Sequence, residues 1–166
     1  MEGILTRRSI RRYTQNSVSE ELVTVLIRAA MAAPSAGNQQ PWQFVVVRDQ
    51  VVRDVIADAN PYGGMASAAS VVIVICADMN QDNRPGFWPQ DCAAATQNLL
   101  LAAHEVGLGA VWCGTYPRVE RMRPIVAVLG LPEHIIPFAV VPIGYPAERP
   151  APVDRYDPGR IHFERW

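Results

Sequence analysis

The feature of this sequence that most constrains its fold is one uninterrupted apolar run, residues 71–77 (VVIVICA). A strand that is apolar on both faces has to be covered on both faces, so such a run is typical of an inner strand with packing layers above and below it. The run is far shorter than the roughly 20 apolar residues that a membrane-spanning helix needs. We therefore expect residues 71–77 to form a central strand of a sheet.

The segments around this run predict further helices and strands of the same domain. Residues 18–33 carry apolar side chains at helical spacing, and the helix begins either at Ser17, which has capping-box spacing to Glu20, or at Ser19. The pattern predicts further strands at 43–49, 110–116 and 138–146, and further helices at 51–59, 91–107 and 118–130. In the last of these helices we expect a break at Pro124. No linker-like segment divides the chain, so residues 1–166 are expected to form a single α+β domain.

Charge and composition argue against several functional classes. The 166 residues have a formal net charge of −1, whereas a general nucleic-acid-binding protein is clearly basic. The three histidines and three cysteines lie far apart, without the spacing of a metal site or of a disulfide framework. No apolar stretch follows the charges at the N-terminus, so no signal peptide is expected. We expect a cytoplasmic protein with reduced thiols and with no metal, membrane or nucleic-acid partner.

A cluster of arginines near the N-terminus is the first candidate site. All fifteen basic residues of the chain are arginine, and Arg7, Arg8, Arg11 and Arg12 lie around Ser9 just ahead of the first predicted helix. Guanidinium groups and a hydroxyl form short, charge-assisted hydrogen bonds with a phosphate ester. A solvated basic turn is the alternative interpretation, but the near-neutral charge of the whole chain makes a local cluster of cations more informative.

The second candidate site is the stretch APSAGNQQPW, residues 33–42, between a predicted helix and a predicted strand. It is longer and more polar than a plain connector needs to be. Ser35 and Asn38 can donate and accept hydrogen bonds, while Ala36 and Gly37 allow a flat ligand to approach the backbone closely. For Gly37 alone a helix C-cap is the better interpretation. The whole stretch indicates a ligand contact, with Trp42 as an anchor in the core.

The C-terminal residues 146–166 predict an arm rather than a core element. The segment is rich in proline and ends in the apolar residues Ile161, Phe163 and Trp166, which should not remain in water. An arm that lies across a second subunit would bury them.

The two candidate sites, in this order, resemble those of the nitroreductase family of flavoenzymes. Members of that family have an RRSxR motif, then a helix, then APSxxNxQPW leading into a long strand, and residues 6–47 of this chain match that pattern closely. The similarity continues through residues 91–117 and 131–150. The resemblance implies an α+β fold with a mostly antiparallel sheet flanked by helices. It also implies an intertwined homodimer that exchanges C-terminal arms and binds two FMN molecules at its interface.

The resemblance further implies which residues bind FMN: Arg7, Arg8, Ser9, Arg11, Pro34, Ser35, Ala36, Asn38, Trp112, Cys113, Gly114 and Arg155. Arg7 and Ser9 would hold the phosphate and ribityl chain, with Arg8 contributing mainly through its backbone. Arg11, where the family often has lysine, would stabilise negative charge at the pyrimidine edge of the reduced flavin. Arg155 would complete the phosphate clamp, and Val153 stands where the family often has a second basic residue.

The remaining positions would surround the flavin ring. The set from Pro34 to Asn38 would come from the partner chain, and the strand end Trp112–Gly114 would place a backbone N–H near flavin N5. Phe87 and Trp88, in the loop 80–90, lie where the family varies its substrate cover, and packing against the neighbouring subunit is the alternative. Tyr62 is a further candidate for the substrate cover, with the same alternative.

The activity implied by the resemblance is a ping-pong reaction that needs no protein acid or nucleophile. NADH or NADPH would deliver hydride to flavin N5, and a nitroaromatic, quinone or similar electron-poor acceptor would then take up the electrons from the same face. Other flavin chemistry on the same fold stays open, namely flavin reduction, ene reduction, dehalogenation or dehydrogenation. So does a flavin-binding protein without turnover of its own.

Overall fold

The fold is organised around the strand formed by the apolar run. The computed structural model describes residues 1–166. In chain order the elements are α1 (Glu2–Thr6), α2 (Glu20–Met31), β1 (Trp42–Val47), α3 (Gln50–Asp58), α4 (Met65–Ala68), β2 (Val71–Asp78), α5 (Trp88–Glu105), β3 (Gly109–Ala110), β4 (Cys113–Gly114), α6 (Val119–Leu129) and β5 (Ile135–Gly144). Short 3-10 turns occupy Ala36–Asn38, Met79–Gln81 and Pro158–Arg160.

All strand pairs of the sheet are antiparallel, and the strand order is β1-β2-β5-β3, with β4 also paired to β5. At the middle of the sheet, Val74 of β2 lies opposite Val45 of β1 and Val140 of β5. The prediction of a central strand at 71–77 is confirmed, because β2 has a hydrogen-bonded neighbour on each edge and every residue from 71 to 77 is buried.

Each face of β2 contributes to a separate hydrophobic core. Ile73 and Ile75 lie in one core with Leu26 of α2 and Leu99 of α5. The alternate residues of the strand, Val72, Val74 and Cys76, lie in the other core together with α3, α4 and α6. This alternation follows from the two-residue period of a strand. The molecule is therefore a helix–sheet–helix arrangement, as the α+β prediction requires.

Side-chain caps fix where two of the helices begin. Ser19 is the N-cap of α2 and accepts a hydrogen bond from Leu22 N at 3.3 Å, so it is the cap rather than Ser17. Asp49 caps α3 by accepting from Val52 N at 3.0 Å. A carboxylate or hydroxyl at this position satisfies a backbone N–H that has no partner inside the helix. No helix of the chain combines the length and the apolar character needed to cross a membrane.

Several predicted boundaries are corrected; the last strand, for example, is Ile135–Gly144 rather than 138–146. Helix α6 runs without a break through Pro124, so the expected break is wrong. Pro124 removes only one backbone hydrogen bond, and the next residue, Ile125, is buried in the second core and holds the helix in place. The predicted strand 110–116 is divided into β3 and β4, and α5 begins at Trp88, three residues before the predicted start.

The arginine-rich N-terminal segment lies against the β3 edge of the sheet. Ile10 N donates to Ala110 O at 3.0 Å, and Tyr13 forms a bridge with Pro146. The approach to the sheet is so close that a Cβ on Gly109 would lie 2.6 Å from Ile10 Cγ2. Glycine is therefore required at position 109 for the segment to dock.

We predict that Gly109→Ala destabilises the protein by about 1–3 kcal/mol, because the added methyl group overpacks the contact with Ile10. Urea denaturation measures the change. Gly64→Ala is the matched control, since Gly64 has φ −52° and a Cβ there would meet no heavy atom within 4 Å. Equal stabilities of the two variants would contradict the close approach.

Candidate functional site

Three arginines lie together where the N-terminal segment meets the C-terminal tail. Burial, followed by the charges of Arg8 and Arg155, lowers the pKa of Arg7. The three line a cavity of about 530 Å³. Asp154 also lines this cavity, but its carboxylate accepts a hydrogen bond from Tyr156 N at 2.9 Å. The only ion pairs of the chain are Arg12–Glu148 and Arg160–Asp157, so the three clustered guanidinium groups have no carboxylate partner.

The chemistry of this cavity suits a phosphate group. Burial first, and then repulsion by the neighbouring cations, lowers the pKa of Arg7, and an anion placed between the cations relieves that repulsion. A phosphate monoester carries close to two negative charges at neutral pH and offers several acceptor oxygens. The sequence prediction paired Arg7 with Arg155, and the structure brings these two residues together.

Arg8 has a different position from its two neighbours, because backbone carbonyls take up its guanidinium. Its Nη1 donates to Arg7 O at 2.6 Å, its Nε to Ala151 O at 3.1 Å and its Nη2 to Val153 O at 3.2 Å. Arg8 thereby attaches the tail to the N-terminal segment and holds Arg155 beside Arg7. Its contribution to FMN binding through the backbone stays a prediction.

Glu148 holds the next part of the arginine-rich segment. Its Oε1 accepts from Arg11 N at 2.5 Å and from Arg12 N at 3.2 Å, and its Oε2 accepts from Arg12 Nε at 3.0 Å. These hydrogen bonds, the one from Arg11 N first, lower the pKa of Glu148. Sequence reasoning missed Glu148, because no spacing links it to a segment 136 residues earlier.

Two further arginines without an ion-pair partner, Arg11 and Arg121, lie near β4. Burial raises the pKa of the Cys113 thiol to about 11, and the charges of Arg11 and Arg121 partly oppose that rise, so both arginines lie close to this strand. Arg121 Nη1 donates to Gly114 O at 2.8 Å, and Asn60 Nδ2 donates to the same oxygen at 3.3 Å. The prediction placed Arg11 and the strand end at one site, and they are neighbours. Asn60 and Arg121 were not singled out by any sequence pattern.

The loop 33–42 has an unusual backbone. Gly37, Asn38 and Gln40 have φ values of 57°, 56° and 50°, in the left-handed region that residues other than glycine seldom adopt. Ser35 Oγ accepts from Gln40 N at 3.0 Å, and Asn38 Oδ1 accepts from Gln40 Nε2 at 3.2 Å. Asn38 and Pro34 are exposed, as groups that contact a ligand or a partner would have to be.

A buried carboxylate fixes this loop from below. Asp91, on the first turn of α5, is only 4% exposed and accepts from Ala36 N at 2.9 Å and from Gln39 Nε2 at 2.7 Å. Trp42 is buried at the start of β1, as expected for an anchor. Asp91 is the first residue of the predicted helix 91–107, and in the structure its carboxylate positions the loop.

The two candidate sites lie at diagonally opposite corners of the sheet. Ile10 contacts Ala110, which is aligned through Ile143 with Val71 at one end of β2, whereas Trp42 pairs with Ala77 at the other end. Three strand spacings separate β1 from β3, about 14 Å, and six residues along a strand add about 20 Å. Neither cavity lined by Arg7 includes any residue from 33 to 42. One chain does not bring the two motifs together.

The three aromatic residues predicted to cover a substrate differ in exposure. Tyr62 and Phe87 are 76% and 48% exposed. Trp88 is only 6% exposed, and its ring meets the edges of Tyr116 and Phe138 at centroid distances of 4.5 and 6.1 Å. Trp88 packs into the core of its own chain, so the predicted cover role depends on Tyr62 and Phe87.

Comparison with known proteins identifies relatives along the whole chain. The sequence profile of the nitroreductase family matches residues 4–60 and 58–145. A protein of Methanothermobacter thermautotrophicus named NADH dehydrogenase/NAD(P)H nitroreductase is 50% identical over 166 residues, which are 100% of this chain and 87% of the relative.

Solved structures agree with this result. A Parabacteroides distasonis protein of the same name has a TM-score of 0.95 and 41% identity, covering 99% of this chain and 97% of that chain. A nitroreductase of Desulfovibrio desulfuricans solved in complex with FMN has a TM-score of 0.87 and 34% identity, covering 99% and 96%.

The hydrogen bonds that Glu148 accepts should make the stability of the protein depend on pH. This stabilisation is complete above the ordinary glutamate pKa of about 4.3 and is lost as the pH falls through the lowered pKa of the folded state. We predict that the gap in urea midpoint between wild type and Glu148→Gln is largest at pH 7 and narrows below pH ~4. The exposed Glu133→Gln is the control. A gap of the same size at pH 7 and pH 3 would contradict the assignment.

Proposed function

The chain belongs to the nitroreductase family, and on that premise we propose that it reduces nitroaromatic, quinone or similar electron-poor acceptors. It is an FMN-dependent NAD(P)H oxidoreductase, since its relatives include an NAD(P)H nitroreductase, an FMN reductase and a nitroreductase solved with FMN. The observation that carries the proposal is the cavity in which Arg7 and Arg155 meet without a carboxylate partner.

The residues present fit the phosphate end of FMN. Arg7 and Arg155 would bind the phosphate, half-buried Ser9 adds a hydroxyl in the same segment, and Arg8 keeps the tail in place by its three bonds to carbonyls. Bound FMN supplies hydride and electron transfer between the reduced nicotinamide and the acceptor, and the protein supplies placement and electrostatics.

At the other end of the proposed site, near β4, Arg11 and Arg121 supply positive charge. Both lie near Cys113 on β4 and neither has a carboxylate partner. A cation close to a group that gains negative charge stabilises the charged form. Arg11 would act in this way at the pyrimidine edge of the cofactor, and Arg121 would hold the strand end through its bond to Gly114 O.

No cysteine of the chain is suited to act as a nucleophile. Burial raises the pKa of Cys76 and Cys92 to about 12 and that of Cys113 to about 11. The reactive form of cysteine is the thiolate, which is negligible at neutral pH when the pKa is so high. This supports a reaction in which the cofactor rather than a side chain carries the chemistry.

The separation of the two motifs supports a homodimer as the working unit. Loop 33–42 lies about 25 Å from the arginine-rich segment of its own chain, as the strand spacings give. A second copy of the chain would bring its own Pro34–Asn38 stretch to the first chain's arginines. The exposed tail, with Ile161 at 44%, Phe163 at 83% and Trp166 at 100% exposure, would be buried as an arm on that copy.

The purified protein tests the proposal directly. It should be yellow, release FMN on denaturation, become reduced by NADH or NADPH without oxygen, and be reoxidised by a quinone or nitroaromatic acceptor. A colourless protein that takes up no FMN would overturn the proposal. A protein that is reduced but not reoxidised by any acceptor would leave it a flavin-binding protein without the proposed turnover.

Arg7→Gln should weaken FMN binding by about 10- to 100-fold, because charge-assisted hydrogen bonds contribute about 1.5–3 kcal/mol each. Fluorescence titration of the apoprotein with FMN measures this affinity. Arg48→Gln, a change of an exposed arginine after β1, should leave it unaltered. Equal affinities for the two variants would contradict the phosphate site.

A further inference from the structure

We propose that Arg84 binds the phosphates of the reduced nicotinamide dinucleotide and so distinguishes the reductant from the acceptor. The inference rests on the proposed function, because it places loop 33–42 beside the flavin. Nothing in the sequence pattern singles out Arg84, which lies in the loop between β2 and α5.

The backbone of Arg84 is connected to loop 33–42 through hydrogen bonds that end on the buried carboxylate of Asp91. Arg84 N donates to Gln39 Oε1 at 3.0 Å, and Gln39 Nε2 donates to Asp91 Oδ2 at 2.7 Å. Asp91 Oδ1 accepts from Ala36 N at 2.9 Å. The two loops therefore share one anchor, and a ligand that contacts loop 33–42 has Arg84 beside it.

The side chain of Arg84 lies against loop 33–42 at Gly37. A Cβ on Gly37 would lie 3.0 Å from Arg84 Nε, so the arginine side chain packs closely on the backbone of Gly37. Gly37 also has a φ of +57°, which favours glycine at this position. The side chain thus lies against the loop, while the residue as a whole stays exposed.

The charge of Arg84 is available to a ligand. Arg84 forms no ion pair with any carboxylate of the chain. Asp82, two residues earlier, is the nearest acidic residue in sequence; its Oδ1 is buried and without a hydrogen-bond partner, and it lies beyond ion-pair distance of Arg84. The exposed Phe87 lies three residues later in the sequence.

The two substrates of the proposed reaction differ in charge. A reduced nicotinamide dinucleotide carries a pyrophosphate, and NADPH carries a further 2′-phosphate, whereas a simple quinone or nitroaromatic acceptor is neutral. A planar guanidinium is well suited to bind phosphate oxygens in pairs. A cation next to a shared site therefore improves binding of the reductant and leaves a neutral acceptor unaffected.

The test is the Arg84→Gln variant of the FMN-loaded protein, with Arg48→Gln as the control for loss of one exposed positive charge. We expect Arg84→Gln to keep its FMN and to bind NADH or NADPH about tenfold more weakly in anaerobic stopped-flow reduction, as the loss of one charge-assisted contact implies. The rate of reoxidation by a neutral quinone should stay at the wild-type value.

The two nicotinamides locate the contact. Equal weakening for NADH and NADPH assigns Arg84 to the pyrophosphate, and weakening for NADPH alone assigns it to the 2′-phosphate; both results support the proposal. Unchanged affinity for both nucleotides overturns it. Slower reoxidation by the neutral quinone in the same proportion also overturns it, because Arg84 would then act on the flavin rather than on phosphate. In either case FMN binding and turnover of the wild type leave the proposed function standing.

Discussion

The pairing of β2 with β1 on one edge and β5 on the other holds the rest of the structure in place. Because both faces of β2 are buried, its alternate side chains define two cores, one with α2 and α5 and the other with α3, α4 and α6. The same pairing fixes the ends of the sheet. It places the arginine-rich segment at the β3 corner and loop 33–42 at the β1 corner, and this separation is the reason for the proposal that two copies of the chain share the site.

The carboxylates and arginines of the site have separate tasks. Glu148 and Asp91 accept hydrogen bonds from backbone N–H groups of the two motifs, and neither carboxylate neutralises Arg7, Arg11 or Arg155. A carboxylate that binds backbone N–H groups fixes a loop at little cost to the charge of the site. The cations therefore remain available for the phosphate and for the reduced ring of an FMN cofactor, which is the electrostatic arrangement that the proposed chemistry needs.

Much of this could be predicted from the sequence, because it depends on local patterns. The central strand and the four longer helices follow from periodicity, and the pairing of Arg7 with Arg155 follows from the resemblance to the nitroreductase family, a membership that the comparisons confirm. The short helices α1 and α4 were not predicted. The rest depends on distant contacts. Glu148 and Asn60 contact residues at least 54 positions away in the sequence, and Arg121 reaches Gly114, seven positions earlier, across the turn between β4 and α6. No spacing in the chain predicts these contacts. The continuity of α6 through Pro124 was also hidden, since it results from the packing of the helix on the second core.

The central claim, that the two motifs serve one flavin from different chains, is tested by the FMN content of mixed dimers. A chain with Arg7→Gln and a chain with Asn38→Ala, each deficient in FMN binding alone, are unfolded, mixed and refolded together, and the mixed dimer is isolated through two different affinity tags. In that dimer one site combines both changes and the other combines none. If the two motifs serve one flavin from different chains, the mixed dimer should contain one tightly bound FMN and have about half the wild-type activity. A mixed dimer as deficient as its two parents would contradict the account, because each site would then take both motifs from one chain.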